Sequence, residues 1–260
     1  MGRQLIYTIF ALATLSLVSS CSIKEDRSGC PCELTIDASG INAEEVSVIC
    51  RTNMALFRGR LHPGGDDRSV EIKVPRDIVQ IVSYTGNAIT YEDDNCLIIP
   101  YGNESDCIYA DVSVINTKAE TAYKKVSLHK QYARISLEII NDTDNGGGAD
   151  SRLSVTGSAN GISLSDLSPV SGAFHCMVTP GTEGAYSFNV PRQKDNGLYV
   201  LIENGGHVSD PVQLGKILES VGFDWTKKDL DDISLKIELP SSVISVSITE
   251  WDKVDTEVVL

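Results

Sequence analysis

Ser69-Val70-Glu71-Ile72-Lys73-Val74-Pro75 decides how this chain is read. Three apolar residues alternate with three polar ones and a proline closes the run, which is the two-residue period of a β-strand with one face in a core. The same period recurs in both directions. Upstream, Leu34 and Ile36 alternate with Glu33, Thr35 and Asp37, followed by Val46 and Val48, then Leu56 and Phe57, and then the turn His62-Pro63-Gly64-Gly65-Asp66-Asp67. Downstream, 78–84, 96–99 and 108–114 supply further strands before a polar break at 116–121. A second series follows: Val126 with Leu128, Ile135 with Leu137 and Ile139, Leu153 with Val155, then 174–178, 186–190 and 198–202. It ends with Leu235, Ile237 and Leu239, and with Ile244, Val246 and Ile248 alternating with serine and threonine into Trp251.

One segment has helical spacing. Asp210 suits the cap, Pro211 the first helical position, Leu214, Ile217, Leu218 and Val221 form one apolar stripe, and Gly222 is the stop. Short strands at intervals of roughly ten residues predict an all-β chain of consecutive β-sandwiches rather than a parallel sheet. The expected division is 30–118 and 119–260, with the one short helix in the second sandwich.

Ahead of the strands, an apolar run from Leu5 to Val18 follows Arg3 and ends in Ser19-Ser20-Cys21. That pattern is a lipobox: the apolar run holds the nascent chain in the inner membrane, and two small residues admit a peptidase before the cysteine. Residues 1–20 are therefore expected to be a lipoprotein signal peptide, Cys21 the acylated N-terminus, and 21–29 a polar tether. Each buried methylene of an acyl chain contributes about 0.8 kcal/mol, so two or more chains give stable attachment. No later segment is apolar for the roughly 20 residues that a membrane-spanning helix needs.

The 260 residues carry a formal net charge of −14, which repels nucleic acid and anionic lipid alike. Neither is an expected partner. Besides Cys21 there are six cysteines, an even number that permits fifteen disulfide connectivities in an exported protein. Cys96 and Cys107 flank a loop-like stretch and are placed to meet across it, whereas Cys30-Pro31-Cys32 has no second ligand pair to complete a zinc site. The acidic loop Asn141-Asp142-Thr143-Asp144-Asn145 lacks the twelfth-position glutamate of an EF-hand, since Asp142 leads to Leu153. Four histidines, His62, His129, His175 and His207, stand in four unrelated settings, and there is no Gly-x-Ser-x-Gly elbow. The expectation is a protein without catalytic residues, metal or cofactor.

The stretch from Cys21 through Cys30-Pro31 into Leu34-Thr35-Ile36 resembles the fimbrillin-associated anchor family of Bacteroidales type V pili. So do, in order, 70–75 running to Tyr84-Thr85-Gly86, Val126-Ser127-Leu128-His129-Lys130, Leu214-Gly215-Lys216-Ile217-Leu218, Asp224-Trp225, and Ile248-Thr249-Glu250-Trp251. The resemblance implies two tandem transthyretin-like β-sandwiches and a role in seating a fimbria on the outer membrane and limiting its length. It implies fimbrial shaft (pilin) subunits as partners, held by β-strand complementation, and reads Lys24-Glu25-Asp26 as a surface-export signal. The apolar tail after the last strand makes Ile244, Val246, Ile248, Trp251, Val258, Val259 and Leu260 the expected pilin contact. A second class stays open: tandem sandwiches on surface lipoproteins also bind glycans, with Trp225, Trp251, Tyr84 and Tyr101 as stacking candidates.

Overall fold

A computed structural model describes residues 29–52, 55–93, 95–140, 152–181, 185–204, 207–238, 243–250 and 253–259. Nineteen strands and one helix follow in order: β1 (Cys32–Asp37), β2 (Val46–Arg51), β3 (Ala55–Leu61), β4 (Ser69–Val74), β5 (Ile78–Thr85), β6 (Tyr91–Asp93), β7 (Cys96–Ile98), β8 (Tyr109–Asn116), β9 (Thr121–Lys125), β10 (His129–Lys130), β11 (Tyr132–Ile140), β12 (Arg152–Ser163), β13 (Pro169–Val178), β14 (Ala185–Pro191), β15 (Tyr199–Asn204), β16 (His207–Val208), α1 (Leu214–Ser220), β17 (Asp232–Glu238), β18 (Val243–Glu250) and β19 (Lys253–Val259). The chain is all-β, as the two-residue period predicts. The expected loop at 141–148 lies outside the described residues.

The opening stretch is β4, an edge strand. It pairs antiparallel with β1, setting Ile72 opposite Leu34 and Val70 opposite Ile36, and β1 pairs on its other side with β9 in parallel. This three-stranded sheet packs on a second of order β10-β8-β5-β2-β3. Leu34, Ile36, Val46, Val48, Cys50, Val79 and Ile81 fill the space between them, each at 0% exposure. Fully burying such a side chain is worth about 1.5–3 kcal/mol. The second sandwich repeats the wiring: β11 lies between antiparallel β14 and parallel β17, as β1 lies between β4 and β9. The hairpin β12–β13 passes on to β15 as β2–β3 passes on to β5. Its core gathers Ile135, Leu137, Leu153, Val155, Tyr186, Phe188 and Val200.

The two sandwiches are joined through β12. One of its edges pairs with β13 from Leu153 to Ile162, with two register shifts; the other is divided, 152–156 pairing with β15 and 161–163 with β7. The hairpin β6–β7 thus lies in a sheet with second-half strands, and the outer face of β2, β5 and β8 is covered in turn. Ile49, Val82, Tyr84, Leu97, Ile108, Ala110, Ile162 and Leu164 form a separate buried cluster there. Burial on both faces explains why Ile49 and Cys50 follow Val48, and Val82 follows Ile81, with no polar residue between them. Gly161 is required at the crossing, since a Cβ would lie 2.2 Å from the Leu97 carbonyl oxygen. Arg51 adds a polar tie, its Nε donating to Gln80 Oε1 (2.7 Å) and a terminal nitrogen to Leu164 O (2.7 Å).

Two local readings are corrected. The helix starts at Leu214, not Pro211, because Val212 is held in extended form by two backbone bonds with Val200 (2.8 and 3.0 Å). Gly222, at φ +82°, ends it as expected, and Phe223 N–H reaches back to Leu218 O. In addition, Val126-Ser127-Leu128 is not a strand; the strand there is β9, 121–125, at a sheet edge between the expected break at 116–121 and Val126.

Across the parallel β1–β9 pair, Tyr123 Oη donates to Asp37 Oδ2 at 2.5 Å. This bond, with the Ser39 backbone N–H at 2.8 Å, holds the Asp37 carboxyl down to about 2. A carboxylate lowered on folding contributes stability above its unfolded value near 3.8 and loses it as pH falls toward 2. Tyr123→Phe is expected to raise the Asp37 titration midpoint, read by carboxyl-carbon NMR; an unmoved midpoint contradicts the hydrogen bond as its main cause.

Candidate functional site

Three surfaces were expected to carry function: the lipidated N-terminus, the C-terminal strands and a set of aromatic rings. Cys21 and the tether through Ser28 lie outside the described residues, as do Trp251 and Leu260. The backbone of the remaining C-terminal candidates is placed. β18 pairs antiparallel with β17, setting Ile244, Val246 and Ile248 opposite Ile237, Leu235 and Ile233. β19 then pairs with β18, with Val258 opposite Val246 and Val259 opposite Ser245. These two strands extend a sheet whose order is β14-β11-β17-β18-β19. The counterpart of β17 in the first sandwich, β9, has no strand beyond it among the described residues. The C-terminal pair is therefore an addition to the repeated topology, and its outer member forms a sheet edge.

The described aromatic candidates, Tyr84, Tyr101 and Trp225, are not brought together. Tyr84 is buried, its hydroxyl donating to Glu92 (3.0 Å). Tyr101 is 69% exposed and stacks on His175, ring centroids 4.7 Å apart. Trp225 packs edge-on against Phe223 and lines a groove between the two sandwiches that Tyr101 does not reach. The histidines likewise stand in separate local contacts: His62 with Asp67 (2.6 Å), His129 with Asp229 (2.9 Å), and His175 with Ser154 (3.2 Å). His207 lies in β16. Cys96 and Cys107 are not joined; Cys107 Sγ accepts from Asn189 Nδ2 at 3.5 Å. Among the described residues, no three His, Cys, Asp or Glu side chains are grouped to hold a metal ion.

The junction between the sandwiches holds a network of polar contacts. His129, Lys130 and Gln131 cross from one to the other, with His129–Lys130 pairing on β8. Lys130 N–H donates to Asp229 Oδ1 (2.7 Å), and its fully buried ammonium bonds Asp232 while lying 4.8 Å from the centroid of the Tyr132 ring. Asp232 also accepts from Arg134 N–H (2.9 Å). Gln131 Oε1 accepts from two Arg192 nitrogens (3.1 and 3.2 Å), and Arg192 donates further to the backbone oxygens of Trp225 and Lys227. Burial pushes the Arg192 guanidinium downward, opposed by Asp224 and Asp229. The result is a clamp that fastens the connecting chain to the 225–232 segment.

Beside the clamp lies the groove, about 690 Å³, walled by Gln80, Val112 and Val114 on one side and by 165–169, Lys194, Trp225 and Lys228 on the other. Sequence reasoning singles out only Trp225 and His129 among these. The rest were missed because the groove is made by segments far apart in sequence, and its polar residues have no local pattern.

No family model and no curated protein matches the chain. Solved structures do. A candidate polysaccharide-binding protein from Bacteroides thetaiotaomicron superposes with a TM-score of 0.62 at 11% identity, over 87% of this chain and 98% of its own. A candidate adhesin from Bacteroides ovatus gives 0.59 at 10%, over 88% and 96%. The fimbrial anchor protein Mfa2 from Porphyromonas gingivalis gives 0.58 at 10%, over 85% and 98%. At such identities the likeness establishes a shared fold, which spans nearly the whole of each of these proteins.

Proposed function

We propose that this chain is an outer-membrane lipoprotein, held at the cell surface through fatty chains on Cys21, that seats a type V fimbria and ends its growth at the base. The reading draws on the lipobox ahead of the sandwiches and on a fold shared with a fimbrial anchor protein. The observation that carries it is the C-terminal pair β18–β19, appended to the repeated sandwich with its outer strand at a sheet edge. A sheet edge offers a row of backbone donors and acceptors that an extended strand of a neighbouring subunit satisfies. Ile244, Val246, Ile248, Trp251, Val258, Val259 and Leu260 belong to that contact in this reading, and the shaft subunit is the partner.

Glycan binding is the weaker reading, because the described candidate rings do not share one groove. Deleting Lys253 to Leu260 leaves β18 paired on β17 and removes only the outer strand. Each backbone bond is worth about 1 kcal/mol net, so losing several should weaken binding of purified shaft subunit at least tenfold. Unchanged affinity of the truncated protein contradicts the role given to this strand.

A further inference from the structure

Among the described residues, one strand edge facing the inter-sandwich groove is left unpaired. β10 covers β8 only at its start, with Lys130 opposite Tyr109 and His129 opposite Ala110, and Gln131 N–H donates to Ile108 O (2.9 Å). Antiparallel bonds on one edge recur at every second residue, so the N–H and C=O of Val112 and Val114 point out from that same edge. Among the described residues no strand pairs with them there. The chain leading into β10 comes from the other sheet, where Val126 N–H donates to Asp37 O at 2.8 Å. Natural edges usually carry blocking charges or proline. Here Val114 is 66% exposed, and Ile78, 57% exposed, lies diagonal to it on β5.

The facing wall belongs to the second sandwich. Leu167 stands on the β12–β13 turn at φ +60°, Pro169 opens β13, and Trp225 lines the same wall. Lys194 and Lys228 are exposed at the rim of this strongly acidic protein. We propose that the groove takes an extended polypeptide strand that prolongs the line of β10 along Val112 and Val114, sets apolar side chains against Trp225 and Leu167, and brings acidic ones to Lys194 and Lys228. The occupant assigned to it is a strand of the fimbrial shaft subunit, so this assignment rests on the anchoring function proposed above. Two outward backbone pairs in register with an existing two-residue strand select a peptide over a sugar, which has no such repeat to offer. The anchor then holds the shaft at two places, an edge that it presents at β19 and a slot that it opens at β8.

The test uses the full chain and purified shaft subunit. Val114→Glu and the double change Lys194→Glu/Lys228→Glu are each expected to weaken binding at least tenfold with unchanged thermal unfolding, since all three side chains are exposed. A photo-cross-linking residue at position 114 is expected to capture the shaft subunit on cells. If deletion of Lys253 to Leu260 abolishes binding but both groove variants bind as the parent does, the groove is overturned and the anchoring function stands. If the parent protein binds no shaft subunit, both are overturned.

Discussion

Asp232→Ala should lower the unfolding free energy by about 3 kcal/mol, the low end of what removing one partner of a buried ion pair costs. Lys130 is at 0% exposure, with its ammonium held by Asp232 and the Tyr132 ring. Removing the carboxylate takes an ion-pair partner from the buried ammonium, and it also strips Arg134 N–H of its acceptor. Asp232 itself is 36% exposed, so water can enter, which is why the low end applies. Lys130→Met removes the opposite partner. The stem volume is kept, Asp232 rehydrates and no buried charge remains, so the expected loss is under about 1.5 kcal/mol. Combining the two changes should recover much of the Asp232→Ala loss. Denaturant unfolding measures all three; equal costs for the two single variants contradict a desolvated ammonium as the source. Because these residues lie in the junction, the loss should appear in the coupling of the sandwiches as well as in overall stability.

Much of the fold is legible in the sequence because alternation is local. Ser69–Val74 and 135–139 announce their strands, and the step from Leu214 to Leu218 announces the helix face. β9 is missed because an edge strand has little to bury: Thr121-Ala122-Tyr123-Lys124-Lys125 carries no apolar period, and it forms by pairing with β1. The helix start is missed because it is decided by Val200, twelve residues upstream of Val212 in the chain. The sequence marks 78–84 as a strand but not that β7 and the far half of β12 cover its second face. The junction is illegible for the same reason, since Lys130, Gln131 and Arg192 acquire meaning only from Asp232, from one another and from carbonyls near residue 225. The C-terminal candidates were found through an apolar tail, and the topology adds that the strands carrying them are appended to a repeated sandwich.

The second large effect is expected at Cys21, which lies ahead of the described residues. In the proposed function its thiol and amine carry the fatty chains, and one buried myristoyl chain alone gives only marginal, reversible binding. Cys21→Ser removes the thiol to be acylated, so retention on the outer membrane should be lost rather than weakened. The acidic body offers no substitute, since a formal charge of −14 is repelled by anionic lipid. If the proposed function holds, filaments then lose their base and subunit addition there is no longer stopped.

The measurement that bears most directly on this account is the partition and length of surface filaments in cells whose only copy of the protein carries Cys21→Ser. Filaments recovered mainly in the medium, with abnormal lengths by electron microscopy, are the predicted result. Filaments of normal length that sediment with the cells, as in the parent strain, would contradict it.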